Sequence, residues 1–421
     1  MNILLRKVTI ADPSSPHNTT VKDILIEDNI IRKIDDNLTD EADEVIDVEN
    51  CYASPGWVDI FSNFCDPGYE YKETLETGAD AAAAGGYTDV FVIPNTQPLI
   101  HNKTQVEYIV QKSKSLPVTI HPLGTVTKNG EGKELAEMYD MKNSGAIAFT
   151  DGLTAVQSPG LMLKALQYIK AFNGVIMQLP LDKTIGQHGL MNEGITSTRM
   201  GLAGIPDIAE ELIIKRDIEL LKYTNSKLHI TGVSTSEGIR LIQKAKQEGF
   251  AITCSVTPYH LFFNDEDLHS YDTNLKVSPP LRSKKDMMAL REALYEGWVD
   301  CIASHHLPQD WDNKTVEFEY AKMGMTGLQT SYAVIQTILP DLKIASVINL
   351  FSANARKIFG MKNISITEGA VAGITLFNPS EETILSQQTN KSKSSNSPFF
   401  DKALKGKVIG IINKGQLFLN K

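Results

Sequence analysis

Residues 55–68 read Pro55-Gly56-Trp57-Val58-Asp59-Ile60-Phe61-Ser62-Asn63-Phe64-Cys65-Asp66-Pro67-Gly68. A short apolar run ends here in the turn chemistry of Asp66-Pro67-Gly68. It is the end of the first of eight strand candidates, which begin near Tyr52, Asp89, Val118, Gly145, Gly174, Lys227, Phe250 and Val299. Helical patterns separate most of them, as at 79–84, 159–170, 208–223 and 236–248. Apolar runs of this length alternating with helices indicate parallel strands. Eight such units across 53–365 predict an α/β fold, a (β/α)8 TIM-like barrel with loop insertions. A doubly wound open sheet is the rival, but it usually has fewer strands, and no G-x-G-x-x-G follows the first strand.

The two ends read differently. Ile3-Leu4-Leu5, Val21 to Ile26 and Ile30 to Ile34 are short apolar runs between polar turns, as are Gly373 to Phe377 and Gly406 to Ile412. These are antiparallel patterns. They predict one small β-sandwich domain built from 1–52 and 366–421. The stretch 391–397, Lys-Ser-Lys-Ser-Ser-Asn-Ser, is expected to be a polar, exposed loop.

The 421 residues carry 42% hydrophobic and 22% charged side chains, values of a globular chain with a sizeable core. Forty-one basic residues against 51 acidic ones give a net charge of −10. Without a dense basic cluster, a nucleic-acid partner is disfavoured. No apolar run is long enough to span a bilayer. The first ten residues lack the apolar core of a signal peptide. The four cysteines, Cys51, Cys65, Cys254 and Cys301, form no C-x-x-C pair and read as reduced thiols. A cytoplasmic protein is expected.

In such a barrel, chemistry sits at the C-terminal strand ends. There the chain resembles the dihydroorotases of the amidohydrolase superfamily. Residues 55–68 resemble the pattern P-G-[FL]-[IV]-D-x-H-x-H-x-R-D-P-G in their flanks. Ile93 to Pro98 resembles M-P-N-T-x-P, and Gly145 to Gly152 resembles G-A-x-A-F-S-D-D-G with one residue fewer. Further matches follow at Leu190 to Gly194, Gly201 to Pro206, Leu228 to Thr235, Val256 to Leu261, Lys276 to Arg282 and Ile302 to Gln309.

The resemblance implies a zinc-dependent hydrolase of cyclic amide C–N bonds, acting in pyrimidine biosynthesis. The departures lie where it implies ligands and substrate contacts. Phe61 and Asn63 replace both first-strand histidines, Gln178 the fifth-strand histidine and Gly232 the sixth. His305 stands where the eighth-strand aspartate shuttles a proton. Cys65, Ser278 and Gln309 replace an arginine, an asparagine and a histidine that hold substrate. Asp151 keeps a ligand-type side chain, and Asn95 keeps a substrate-binding one. Zinc prefers imidazole, thiolate and carboxylate, so this set predicts no metal cofactor. Zinc lowers the pKa of bound water from about 15.7 to about 7, worth at most about 12 kcal/mol. A lone base, His305, recovers roughly 3–5 kcal/mol.

Three readings follow. The first is an inactive homologue, a scaffold or partner of aspartate carbamoyltransferase, assembling as a homo-oligomer as the family's barrels do. The second is a hydrolase with a rebuilt, zinc-poor site using Asp151 and His305. The third is a sensor that holds a small ligand through Asn95 and Arg282.

Each residue also has a plain structural reading. His305 and His306 point in opposite directions if the strand is regular. His305 with His260 and Asp151 forms a candidate adventitious ion site. His229 reads as a packed, hydrogen-bonded histidine and Asp59 as a structural acceptor. Cys65 is read as a small replacement, since no neighbouring base activates it.

Overall fold

The computed structural model describes residues 1–420. The N-terminal strands are β1 (Ile3–Ile10), β2 (Val21–Glu27), β3 (Ile30–Asp35), β4 (Glu44–Asp47) and β5 (Tyr52–Pro55). Then come β6 (Trp57–Ser62), β7 (Tyr87–Val92), β8 (Thr119–Pro122), β9 (Ile176–Gln178), β10 (Met191–Asn192) and β11 (Gly204–Ile205). After these lie β12 (Leu228–Ile230), β13 (Ile252–Val256), β14 (Cys301–Ile302), β15 (Ile374–Ile384), β16 (Ala403–Asn413) and β17 (Gln416–Leu419).

Both chain ends share one sheet, in the order β17-β16-β15-β5-β1-β2-β3, with β4 paired to β1. The expected sandwich is instead one continuous eight-stranded sheet. The reason is β5, which bonds β1 on one edge and β15 on the other, so the two ends cannot form separate sheets. Alternating side chains such as Ile3, Leu5, Ile24, Ile26, Ile374 and Ile412 build its apolar core.

The parallel strands form a ring. β6, β7 and β8 pair in sequence. Isolated parallel bridges carry the pairing from Gly124 to Phe149 and on to Ile176. β9, β12, β13 and β14 follow, and a bridge from His306 to Ser62 returns to β6. The fourth expected strand shrinks to Phe149, because Gly145 is spent as the left-handed cap of the helix Met138–Ser144.

The intervening helices start where the sequence offers side-chain caps. Thr74, Ser158, Thr235 and Ser283 accept from backbone amides of the first turns of Leu75–Ala84, Pro159–Lys170, Ser236–Gln247 and Lys284–Tyr295. Among the described residues no helix is long and apolar enough to cross a membrane.

The serine-rich stretch is not exposed as a whole. Ser392, Ser394, Asn396 and Ser397 are buried, while Lys391, Lys393 and Ser395 face outward. Ser392 Oγ and the Lys393 amide donate to Glu73. Ser394 Oγ donates to the Lys72 carbonyl at 2.7 Å, and Asn396 Nδ2 donates to the Leu307 and Gly324 carbonyls at 3.1 Å. Polar side chains tolerate burial when each finds a partner, so composition alone misplaces this segment.

Candidate functional site

The C-terminal ends of the ring strands are joined by a buried carboxylate. Asp59 Oδ1 accepts from the Ser304 amide at 2.7 Å, and Oδ2 accepts from Ser304 Oγ at 2.9 Å and Ser62 Oγ at 2.5 Å. Burial raises the Asp59 carboxyl above its usual range, against the pull of these bonds. Asp59 thus ties β6 to the segment after β14.

His305 and His306 diverge, though not through strand alternation. β14 ends at Ile302, and His305 lies at φ 43°. His306 Nδ1 accepts from the Gly327 amide at 3.2 Å while Nε2 faces Glu73 at 3.3 Å. His305 turns the other way and stacks on Phe61, with centroids 4.3 Å apart. Its Nε2 lies 2.8 Å from Thr231 Oγ1. A Cβ on Gly232 would sit 2.5 Å from His305 Cε1, so this imidazole fills the space of a side chain at 232. Burial, then the neighbouring His260 and His229, push the His305 pKa down to about 3. It is a neutral ring.

The other side chains at positions where the resemblance implies ligands or substrate contacts, Asn63, Gln178, Asp151 and Asn95, are spent on local structure. Asn63 Oδ1 accepts from the Cys65 amide at 2.8 Å. Gln178 Oε1 accepts from the Val156 amide at 3.1 Å and Nε2 donates to Asp217 at 3.0 Å. Asp151 accepts from the Val126 and Thr127 amides at 2.9 Å and from Thr127 Oγ1 at 2.6 Å. Asn95 Oδ1 accepts from the Leu153 amide at 3.1 Å and packs on Gly152, where a Cβ would lie 1.7 Å away.

The candidate ion site of His305, His260 and Asp151 does not form. His260 Nδ1 is engaged by Thr257 Oγ1 at 2.9 Å, and Nε2 donates to the Pro279 and Pro280 carbonyls at 3.0 and 3.2 Å. Among the described residues no three His, Cys, Asp or Glu side chains are placed to share an ion. A phenyl ring, two neutral amides and a glycine do not fit zinc, which takes imidazole, thiolate and carboxylate.

Cys65, Gln309, Ser278 and Arg282, expected from the sequence to stand at substrate or ligand contacts, lie as follows. Burial first, and then the charge of Glu73, push the Cys65 thiol up to about 12, which disfavours the thiolate that a nucleophile needs. Gln309 Nε2 donates to the Met323 carbonyl at 2.9 Å, and Oε1 accepts from Lys72 Nζ at 2.9 Å. Ser278 lines the mouth cavity. Arg282, the sensor's second anchor, is buried inside the protein. Its Nε donates to Ser234 at 3.1 Å, and Nη1 reaches Asn192, the Ile205 carbonyl and Asp207 at 2.9–3.0 Å. It braces β10 and β11, while its Nη2, 3.9 Å from Glu210 Oε2, has no hydrogen-bond partner. The mouth cavity, lined by Phe61, Ile93, Tyr259, Ser278, His305 and Leu307 among others, measures about 10 Å³. That is at most room for one water.

A row of polar side chains leads to His305. Thr253 Oγ1 lies 2.9 Å from His229 Nδ1, and His229 Nε2 lies 3.1 Å from Ser255 Oγ. Ser255 Oγ donates to Thr231 Oγ1 at 3.0 Å. Each hydroxyl has one proton, so the assignment that satisfies every group has His229 Nε2–H donating to Ser255 and Thr231 donating to His305. His305 then carries its proton on Nδ1. Sequence reasoning passed over Thr231, Thr253 and Ser255. Their signal is period-two spacing, 229 with 231 and 253 with 255, which puts each pair on one strand face.

A family model described as dihydro-orotase-like matches residues 53–238. A dihydroorotase of Caldanaerobacter subterraneus subsp. tengcongensis is 41% identical over 403 residues, covering 95% of this chain and 93% of that protein. A dihydroorotase of Syntrophus aciditrophicus is 38% identical over 422 residues, covering 99% of each. Among solved structures, an L-hydantoinase (dihydropyrimidinase) from Arthrobacter aurescens superposes with a TM-score of 0.85 at 23% identity, over 100% of this chain and 96% of the other. With full-length relatives at this identity and an amidohydrolase fold, the chain belongs to the dihydroorotase-like family of the amidohydrolase superfamily.

Proposed function

We propose that this protein is a non-catalytic dihydroorotase homologue of pyrimidine biosynthesis, acting as a scaffold or partner of aspartate carbamoyltransferase. We read its ring as a (β/α)8 barrel whose mouth has been closed. The observation that carries the reading is the Phe61–His305 stack, which fills the space beside Gly232 and leaves a cavity of about 10 Å³. A cyclic amide does not fit such a space, and the side chains of Asn63, Gln178 and Asp151 are hydrogen-bonded within the protein. Catalysis needs a reacting atom held within about 3 Å of an activating group. A scaffold needs only the fold, and the buried strands, caps and Asp59 tie supply that.

The test pairs metal analysis of the purified protein with a dihydroorotate hydrolysis assay, then size-exclusion chromatography with aspartate carbamoyltransferase. Substoichiometric zinc, no turnover and co-elution are the expected results. One or two zincs per chain with measurable turnover defeats the non-catalytic reading. Separate elution at micromolar concentrations defeats the scaffold reading.

A further inference from the structure

The segment 310–322 leaves the ring after β14, and Leu307 and Gly324 near its two roots line the mouth cavity. Two buried lysines fasten it to the neighbouring segment 264–276. Lys314 Nζ donates to the Thr273 and Lys322 carbonyls at 2.7 and 2.9 Å, and Lys276 Nζ donates to the Phe318 and Glu319 carbonyls at 2.7 and 2.9 Å. Thr273 Oγ1 returns a bond to the Lys314 carbonyl at 2.7 Å, and Tyr271 meets Phe318 edge-on with centroids 6.4 Å apart. On the other side Lys72 Nζ, bonded to Gln309 at 2.9 Å, lies 5.7 Å from the centre of the Tyr71 ring and brings that ring beside the segment. Together these bonds make a braced lobe on the rim of the closed mouth.

Two features mark its surface. Trp311 is 73% exposed, Tyr320 69% and Tyr71 56%. Large rings left in water on a braced surface are enriched where proteins meet, and bracing lowers the ordering cost of docking. The second feature is charge. Residues 264–272 and 310–322 hold eight carboxylates against two ammoniums, a net −6 within the chain's −10. Lys314 is spent on backbone carbonyls, so Lys322 is the one outward cation of 310–322. Asp312, Glu317 and Glu319 form no ion pair among the described residues.

Charge decides what fits such a surface. A nucleic acid, an anionic bilayer and a second copy of this acidic chain are all repelled. A guanidinium is attracted twice, because it stacks on an aromatic face and pairs with a carboxylate. We propose that this lobe docks a basic, arginine-bearing face of a partner protein, with guanidinium groups against Trp311 and Tyr320 and beside Glu317 and Glu319. The inference rests on the scaffold reading above and assigns the surface through which aspartate carbamoyltransferase is held.

Size-exclusion chromatography and isothermal titration of the full chain with aspartate carbamoyltransferase test it. The unaltered chain is expected to co-elute, and to bind more weakly at about 0.5 M salt than at about 0.05 M. Trp311→Ala with Tyr320→Ala should weaken binding about tenfold or more, and Glu317→Lys with Glu319→Lys at least as much, both with unchanged circular dichroism. Tyr223→Ala, 76% exposed on the helix Ile208–Thr224, should leave binding intact. Binding indifferent to both lobe variants, or weakened equally by Tyr223→Ala, overturns this surface and leaves the scaffold reading standing. Loss in the aromatic variant alone, or binding indifferent to salt, overturns the basic face. An unaltered chain that elutes separately overturns both this inference and the scaffold reading.

Discussion

The imidazole of His305 occupies the volume that a side chain at Gly232 would need, with Cε1 2.5 Å from a Cβ built there. Gly232 also sits at φ 69°, a region that side-chain-bearing residues avoid. Gly232→Ala is therefore expected to lose about 2–4 kcal/mol, from backbone strain and overpacking together. Urea unfolding measures this. Pairing it with His305→Ala should return part of the loss, giving a coupling of about 1 kcal/mol or more. Simple additivity would separate the two sites.

Three buried histidines set the acid limb of stability. Burial, with smaller contributions from nearby charges, pushes His229 and His305 down to about 3 and His260 to about 4. Their folded values lie below the unfolded value of about 6.5, so the unfolded chain binds more protons. Stability is then full above pH 6.5 and falls as pH drops toward 4, by about 1.4 kcal/mol per pH unit for each histidine. Urea midpoints measured from pH 7 to pH 4 should fall steeply. His305→Gln should make that slope shallower by one proton's worth.

Asp59 holds three donors. Asp59→Ala leaves the Ser304 amide and one of the Ser304 and Ser62 hydroxyls, which lie 3.2 Å apart and can bond each other, without an acceptor in a buried site. A loss of about 3–5 kcal/mol is expected, read from thermal or urea unfolding. Ser62→Ala, which removes one donor and leaves Asp59 two others, should cost about 1 kcal/mol.

All four cysteines are buried, and burial foremost pushes Cys51, Cys65 and Cys254 up to about 12. The reactive species is the thiolate. A colorimetric thiol reagent at pH 8 should therefore label the native protein slowly and the urea-unfolded protein at four equivalents. Fast labelling of a single native thiol that Cys65→Ser abolishes would show Cys65 to be accessible and reopen its nucleophilic reading.

Much of this architecture was legible in local pattern. Helical patterns such as 159–170 and 236–248 and the apolar run beginning near Asp89 declare their elements without help from distant residues. What escaped depends on long-range partners. Nothing local to Gly145 says that the next strand contracts to Phe149. Nothing in the composition of 391–397 says that Glu73 and Leu307 await its serines and asparagine. The departures from the family pattern were visible as letters, but only three dimensions show Gln178 held by Asp217, or the matched Arg282 drawn into β10 and β11. Strand alternation forecast the divergence of His305 and His306, whereas a left-handed kink at His305 produces it.

The row from Thr253 through His229, Ser255 and Thr231 behaves as a line of one-way arrows. No member can reverse its proton alone, because each hydroxyl that turned would face either two hydrogens or none. The tautomer of a ring at the mouth is thereby written about four side chains away, near the opposite rim. A visitor to His305 meets an N–H at Nδ1, and to find a lone pair there it would have to turn the whole file.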